Sequence, residues 1–280
     1  MVKTLNTQQI RVLKKILCIY RHWRYSPHSV ERDAAILEAV GDKLRDKGCQ
    51  VTFVHEENAD EKSLRLLLAE TDLCFSMARS ESVVRVLRES GVPTVNTPQS
   101  VALCTQRKEL ERLMRSKGIP VPPVSGTSGY WMKRGDGPVQ TPDDVVFCPD
   151  EAALETARTA FLRRGIGEVV ISAHVEGDVL KFYGVSGSPF FCYSYPAETG
   201  QTKFGMNAHN DAPRHYAFDV DALRDVVGRL ASYVGVSVYG GDCVVRPDGS
   251  FVIIDFNDWP SFACCRDEAA ETIADMFHRL

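Results

Sequence analysis

Two apolar segments near the carboxyl end, residues 237–245 (SVYGGDCVV) and 251–256 (FVIIDF), are joined by Arg-Pro-Asp-Gly. Pro-Asp-Gly between strand-like runs is a turn signal, so the two should pair as a hairpin. Asp242 then lies on the first strand, while Asp255 and Asn257 lie two apart on the second and share a face. Pairing can bring Asp242 beside them, so that three oxygen-bearing side chains converge. Carboxylates and a carboxamide are the donors Mg²⁺ prefers, its shell completed by waters and phosphate oxygens. An Asp flanked by Ile253, Ile254 and Phe256 is costly unless paired or metal-bound. Acids that simply face solvent are the alternative that the hairpin alone leaves open.

The rest of the chain must hold that hairpin. Apolar runs at 15–20 (KILCIY), 50–54 (QVTFV) and 71–77 (TDLCFSM), a short one at 92–96, and helical patterns at 30–47, 61–70 and 81–90 alternate in the manner of a parallel α/β unit. Thr97 as N-cap and Pro98 at the first helical position open a helix that should run to Lys117-Gly118. The extended IPVPPV stretch leads into strands at 130–133, 144–147 and 168–175 around a helix at 151–164. Two further strands (179–185 and 189–195), a long polar loop (196–214) and a helix (220–234) precede the hairpin. A loop of that length invites a lid or specificity role, with a solvated surface loop as the plain alternative.

The chain has 280 residues, enough for several fused subdomains around a real core. With 44% hydrophobic and 25% charged residues it reads as globular, and no apolar run approaches the ~20 residues of a membrane span. The first twenty residues, interrupted by lysines and without a small-residue cleavage site, do not resemble a secretory signal, so a cytoplasmic location is expected. A net charge of −4 argues against a nucleic-acid coat. The nine cysteines, without a CxxC pair, are expected to be reduced and mostly buried.

Asp242, a turn, and Asp255-Phe256-Asn257 thirteen to fifteen residues later resemble the metal-binding end of the ATP-grasp superfamily. That group includes D-alanine ligases, glutathione synthetase, RimK-like ligases and inositol-polyphosphate kinases. The resemblance spans the chain and implies an α/β (α+β) ATP-grasp fold: an extension (1–14), a parallel α/β domain (15–97), a connecting helix (98–118), a central subdomain (119–176) and a C-terminal antiparallel subdomain (177–280), with ATP between the last two. It implies two Mg²⁺ ions, one on Asp242 and Asp255, the other on Asp255 and Asn257.

The same resemblance assigns cationic roles. The phosphate-binding lysine before the GIPVP-like segment falls on Arg107, with Lys108 beside it, and the central-strand lysine on Lys133. Arg134–Gly137 takes the place of the mobile phosphate loop. VVISAHVEGD resembles the hinge strand, so the backbone of Ala173 and Val175 would meet the adenine, although Ser172 stands where an acid is usual. Glu176 or Asp178 would contact the ribose, and Lys181 the phosphates or the substrate. Substrate-side candidates are Arg21 and Arg24 after the first strand, where open parallel sheets bind ligands, Lys203 and Arg214 in the long loop, and Ser261 with a nearby helix start.

Catalytic weight falls on Lys133, Asp255 and Asn257. The implied activity is a carboxylate–amine ligation of small molecules through an acylphosphate. The D-alanine subclass fits poorly, since Gly240 replaces its arginine two residues before the first metal acid. A small-molecule kinase, suggested by DFNDWPSF, and a non-catalytic ATP-binding protein are the alternatives. The resemblance also allows a homodimer.

Overall fold

The computed structural model describes residues 13–26, 29–137, 139–199 and 212–278. Its first unit is a parallel sheet of order β2-β1-β3-β4, from β1 (Lys15–Tyr20), β2 (Gln50–His55), β3 (Leu73–Ser76) and β4 (Thr94–Val95). β1 is buried from Ile16 onward because helices cover both faces. On one face lies α1 (Val30–Asp46), which turns Ile36, Leu37, Val40 and Leu44 to the sheet at helical spacing. On the other lie α2 (Glu61–Ala69) and α3 (Glu81–Ser90).

The single helix expected over 98–118 is two, α4 (Pro98–Thr105) and α5 (Arg107–Ser116). Thr97 caps the first as expected, its side chain accepting from the Ser100 N–H. Gln106 leaves helical geometry (φ −95°, ψ 78°). The restarted helix finds a partner for one of its orphan amides in the central subdomain, where Lys108 N–H donates to the Gly135 carbonyl at 3.2 Å. The break aims Arg107 at that subdomain.

A three-stranded antiparallel sheet of order β6-β5-β7 follows, from β5 (Tyr130–Arg134), β6 (Val145–Cys148) and β7 (Val169–Ala173), packed under α6 (Glu151–Arg163). The last sheet, β11-β10-β8-β9, combines β8 (Asp178–Val185), β9 (Phe191–Ser194), β10 (Val238–Val245) and β11 (Phe251–Asp258). A one-turn helix, α7 (Pro196–Thr199), and α8 (Val220–Val234) lie between β9 and β10, and α9 (Arg266–Ala274) follows β11. The expected hairpin closes through Arg246 N–H to Ser250 O (2.8 Å) and Gly249 N–H to Arg246 O (3.0 Å), with Gly249 at φ +80°, a conformation a side chain would disfavour.

The parallel sheet and the last sheet share one core. Tyr183, Val185, Phe190, Val238, Trp259 and Phe262 join the cluster under α1 and α9. Asn96 locks this junction: its amide oxygen accepts from Ser237 and Val238 N–H (both 2.8 Å), and its NH₂ donates to the Val238 carbonyl (2.7 Å). The buried side chain thus acts as a strand partner for the start of β10 and fixes the hairpin against the first unit. No helix among the described residues is long and apolar enough to cross a membrane.

Candidate functional site

A cleft of about 310 Å³ opens where the three sheets meet. At its polar end, β10 and β11 place Asp242 directly opposite Asp255 and Gly240 opposite Asn257, with a register irregularity immediately after Asp242. Such irregularities re-aim side chains at functional sites. The strands approach closely because residues 240 and 241 are glycines. A Cβ on Gly241 would lie 2.1 Å from the Asp255 carbonyl oxygen, and one on Gly240 2.8 Å from the Pro260 ring. The arginine of the D-alanine subclass therefore has no room at 240. Gly241→Ala should force the strands apart and destabilise the fold by about 1–3 kcal/mol, read from a urea unfolding midpoint.

Four cationic or amide groups converge on the carboxylates. Lys181, opposite Asp242 on β8, donates to it at 2.7 Å. Arg107 reaches Asp255 at 3.6 Å, and the Asn257 NH₂ donates to Asp255 at 2.9 Å. Lys133 donates across the cleft to the Ile254 carbonyl at 2.8 Å. Burial pushes the Asp255 carboxyl up, but Arg107, Lys133, Asn257 and Lys181 outweigh it and hold it at about 2. It is ionised at neutral pH. Burial also drives Lys133 down, against the pull of Asp255, whereas Asp242 overcomes burial and raises Lys181. The three hard-oxygen side chains fit a Mg²⁺ site by donor chemistry, and the flanking cations balance their charge when no metal is bound.

At the apolar end, β7 runs into the segment 173–175, faced by Val145, Val179 and Val244. The Ala173 N–H is committed to the Pro123 carbonyl (2.8 Å) and the His174 N–H to that of Gly129 (2.8 Å). The N–H of Val175 has no partner among the described residues. Trp131, which donates to His174 Nδ1 at 3.1 Å, closes this side.

Not every expected residue reaches the cleft. Arg107, Lys133, Ala173, Val175, Lys181, Asp242, Asp255, Asn257, Arg21 and Ser261 line it. Asp178 does not: it is buried, and its two oxygens accept from the backbone N–H groups of Arg214 and Tyr216, both at 2.8 Å. It pins the end of the long loop, and its side chain lies outside the cleft lining. Glu176 accepts from the Ser128 hydroxyl at 2.8 Å, outside the lining. Arg24 is exposed and stacks on Tyr25 (4.7 Å), and the Arg214 side chain donates to the Tyr216 hydroxyl (3.3 Å). Lys203 lies outside the described residues. Ser261 stands apart from the helix start, since α9 begins at Arg266.

The structure adds a cluster unseen in the sequence. Asp258, the residue after Asn257, is fully buried between Arg79 (2.6 Å) and Arg21 (3.4 Å), with Asp33 3.8 Å from Arg21. Arg32 also lines the wall, and the Nε of each of the three arginines is buried without a hydrogen-bond partner among the described residues. Glu56 braces the loops behind it, accepting from the N–H groups of His22 (2.8 Å), Arg79 (2.7 Å) and Ser80.

The architecture matches solved ATP-grasp structures along nearly its whole length. A D-alanine–D-alanine ligase from Bacillus anthracis complexed with ATP superposes at TM-score 0.65, with 12% identity over 95% of this chain and 96% of that one. VanG, the D-Ala:D-Ser ligase of Enterococcus faecalis, gives 0.67, with 14% identity over 96% and 99%. A RimK-domain ATP-grasp protein from Sphaerobacter thermophilus gives 0.63, with 15% identity over 93% and 98%. No protein-family model and no curated protein matches the sequence. The chain therefore has the ATP-grasp fold, with a parallel sheet and two antiparallel sheets.

Proposed function

We propose that this protein is an ATP- and Mg²⁺-dependent carboxylate–amine ligase for small molecules. The observation that carries the reading is the convergence of Asp242, Asp255, Asn257, Lys133, Lys181 and Arg107 at one end of a cleft whose other end is apolar and carries the Val175 N–H. A purine fits the apolar end, with Val175 N–H on its acceptor edge, and the triphosphate then extends to the cationic end. Asp242, Asp255 and Asn257 would hold Mg²⁺, which when bound neutralises phosphate charge. Arg107, Lys133 and Lys181 supply further positive charge that the phosphates meet on binding.

In the first half-reaction a substrate carboxylate oxygen bonds to the γ-phosphorus, the β–γ bridging bond breaks, and ADP leaves. An amine then attacks the acyl carbon, and inorganic phosphate departs as the amine proton passes to solvent. The guanidiniums of Arg21, Arg32 and Arg79 that line the cleft favour an acidic substrate at that end. A carboxylate nucleophile is already ionised and requires no catalytic base.

The test is ADP and phosphate release from ATP with Mg²⁺ against pooled amino acids, dipeptides and hydroxy acids. ADP with free phosphate, dependent on two pooled components together, supports the ligase. ADP without free phosphate, with the γ-label on a product, makes it a kinase. Lys133→Ala should lower turnover about 100-fold, within the range for removing one preorganised donor to transition-state charge.

A further inference from the structure

Nine cysteines without a CxxC pair read as scattered thiols, and six of them, Cys18, Cys49, Cys74, Cys104, Cys148 and Cys243, are indeed buried singly in apolar surroundings. The other three meet in space. Cys192 on β9 lies 72 residues before the adjacent pair Cys264 and Cys265, yet the three sulfurs all fall within 4.8 Å of one another. Cys192 and Cys265 are half-buried and Cys264 is exposed, so this cluster touches solvent as the other thiols do not.

The spacing is that of a coordination shell. Zn–S bonds of ~2.3 Å at the tetrahedral angle set neighbouring sulfurs ~3.8 Å apart. Cys192 to Cys264 and Cys264 to Cys265 both measure 3.8 Å. We propose that Cys192, Cys264 and Cys265 bind Zn²⁺ through three thiolates, leaving the fourth position to solvent. Ser194 sits on the same face of β9 as Cys192, with its buried hydroxyl beside Cys264. It is suited to donate to a metal-bound sulfur, the outer contact such sites use. Binding releases the thiol protons to solvent.

None of the three cysteines lines the cleft. The site would tie β9 to the segment from Trp259 to Cys265, whose residues 259–261 line the cleft. That segment holds Trp259 (φ +42°) and Phe262 (φ +47°) in left-handed conformations, fixed by full burial of both rings. A metal clip would reinforce a segment otherwise held by packing and a few backbone hydrogen bonds.

Cobalt is the probe. The full chain, kept reduced with a phosphine and freed of metal, is titrated with Co²⁺. One equivalent should develop a thiolate-to-cobalt charge-transfer band and the visible bands of a tetrahedral ion, and one equivalent of Zn²⁺ should erase both. Cobalt held by Asp242, Asp255 and Asn257 has only oxygen ligands and gives no sulfur band. Cys264→Ser, at an exposed position that tolerates the change, and Cys192→Ser should lose the band, while Cys49→Ser keeps it. Zn²⁺ should raise the melting temperature of the parent protein and of Cys49→Ser but not of Cys264→Ser. Absence of a sulfur band in the parent protein, or its persistence in Cys264→Ser, overturns the assignment.

Discussion

Asp255→Asn is expected to cut ATP turnover by about 10³-fold or more while the protein remains folded. The carboxylate sits at the centre of the polar end: Asp242 faces it across the hairpin, Arg107 lies at 3.6 Å, and the Asn257 amide donates to it at 2.9 Å. Losing its charge removes the donor the proposed metal ions share, and stabilisation of phosphoryl-transfer charge by such ions is worth several kcal/mol, which corresponds to that factor. Asparagine keeps the size of the side chain and a hydrogen-bonding oxygen, so packing is nearly preserved. Two readouts check the point together. The rise in melting temperature produced by ATP with Mg²⁺ should shrink or vanish in the variant, and the far-UV spectrum should be unchanged. Full turnover in Asp255→Asn would remove the hairpin from the chemistry and with it the proposed function.

What the sequence disclosed and what it hid divide along sequence distance. Asp242, Asp255 and Asn257 were legible because one hairpin holds them and a period of two assigns their faces. The parallel unit was legible because apolar runs alternate with amphipathic ones. Of the two ribose candidates, Asp178 lies outside the cleft lining, and its partners, two backbone amides of a loop 36 and 38 residues away, carry no side-chain signature. The restarted connecting helix donates from Lys108 to the Gly135 carbonyl, a partner that no local propensity at Gln106 could reveal. The cysteine cluster had one local sign, the adjacent pair Cys264-Cys265, and its third member comes from a different strand. Arg79 and Asp258, 179 residues apart, had none, since an arginine after a strand and an aspartate ending another are ordinary surface residues until the fold buries them together.

That last pair carries the largest stability effect. Asp258→Ala should lower stability by about 3–5 kcal/mol, the cost of leaving buried charge without its partner. The carboxylate is fully buried, and the side chains of Arg21 and Arg79 are only 7% and 11% exposed, so water cannot take its place cheaply. Burial and the neighbouring Arg79 already push Arg21 down, and Asp258 is first among the acids that oppose them. At ~2–4 °C per kcal/mol for a chain of this size, the melting temperature should fall on the order of 10 °C. Because the loss comes from stranded charge rather than a missing contact, Arg79→Leu in the same chain should restore part of it, giving a coupling energy of about 1–3 kcal/mol in a double-mutant cycle followed by urea unfolding. Additive losses would mean that Asp258 acts mainly by filling space. The cluster also joins the loop after β1 and the loop after β3 to the end of β11, the strand that carries Asp255 and Asn257. The arginine-rich wall and the carboxylate site should therefore loosen together, and Asp258→Ala should weaken the ATP-dependent rise in melting temperature even though Asp258 ligates nothing.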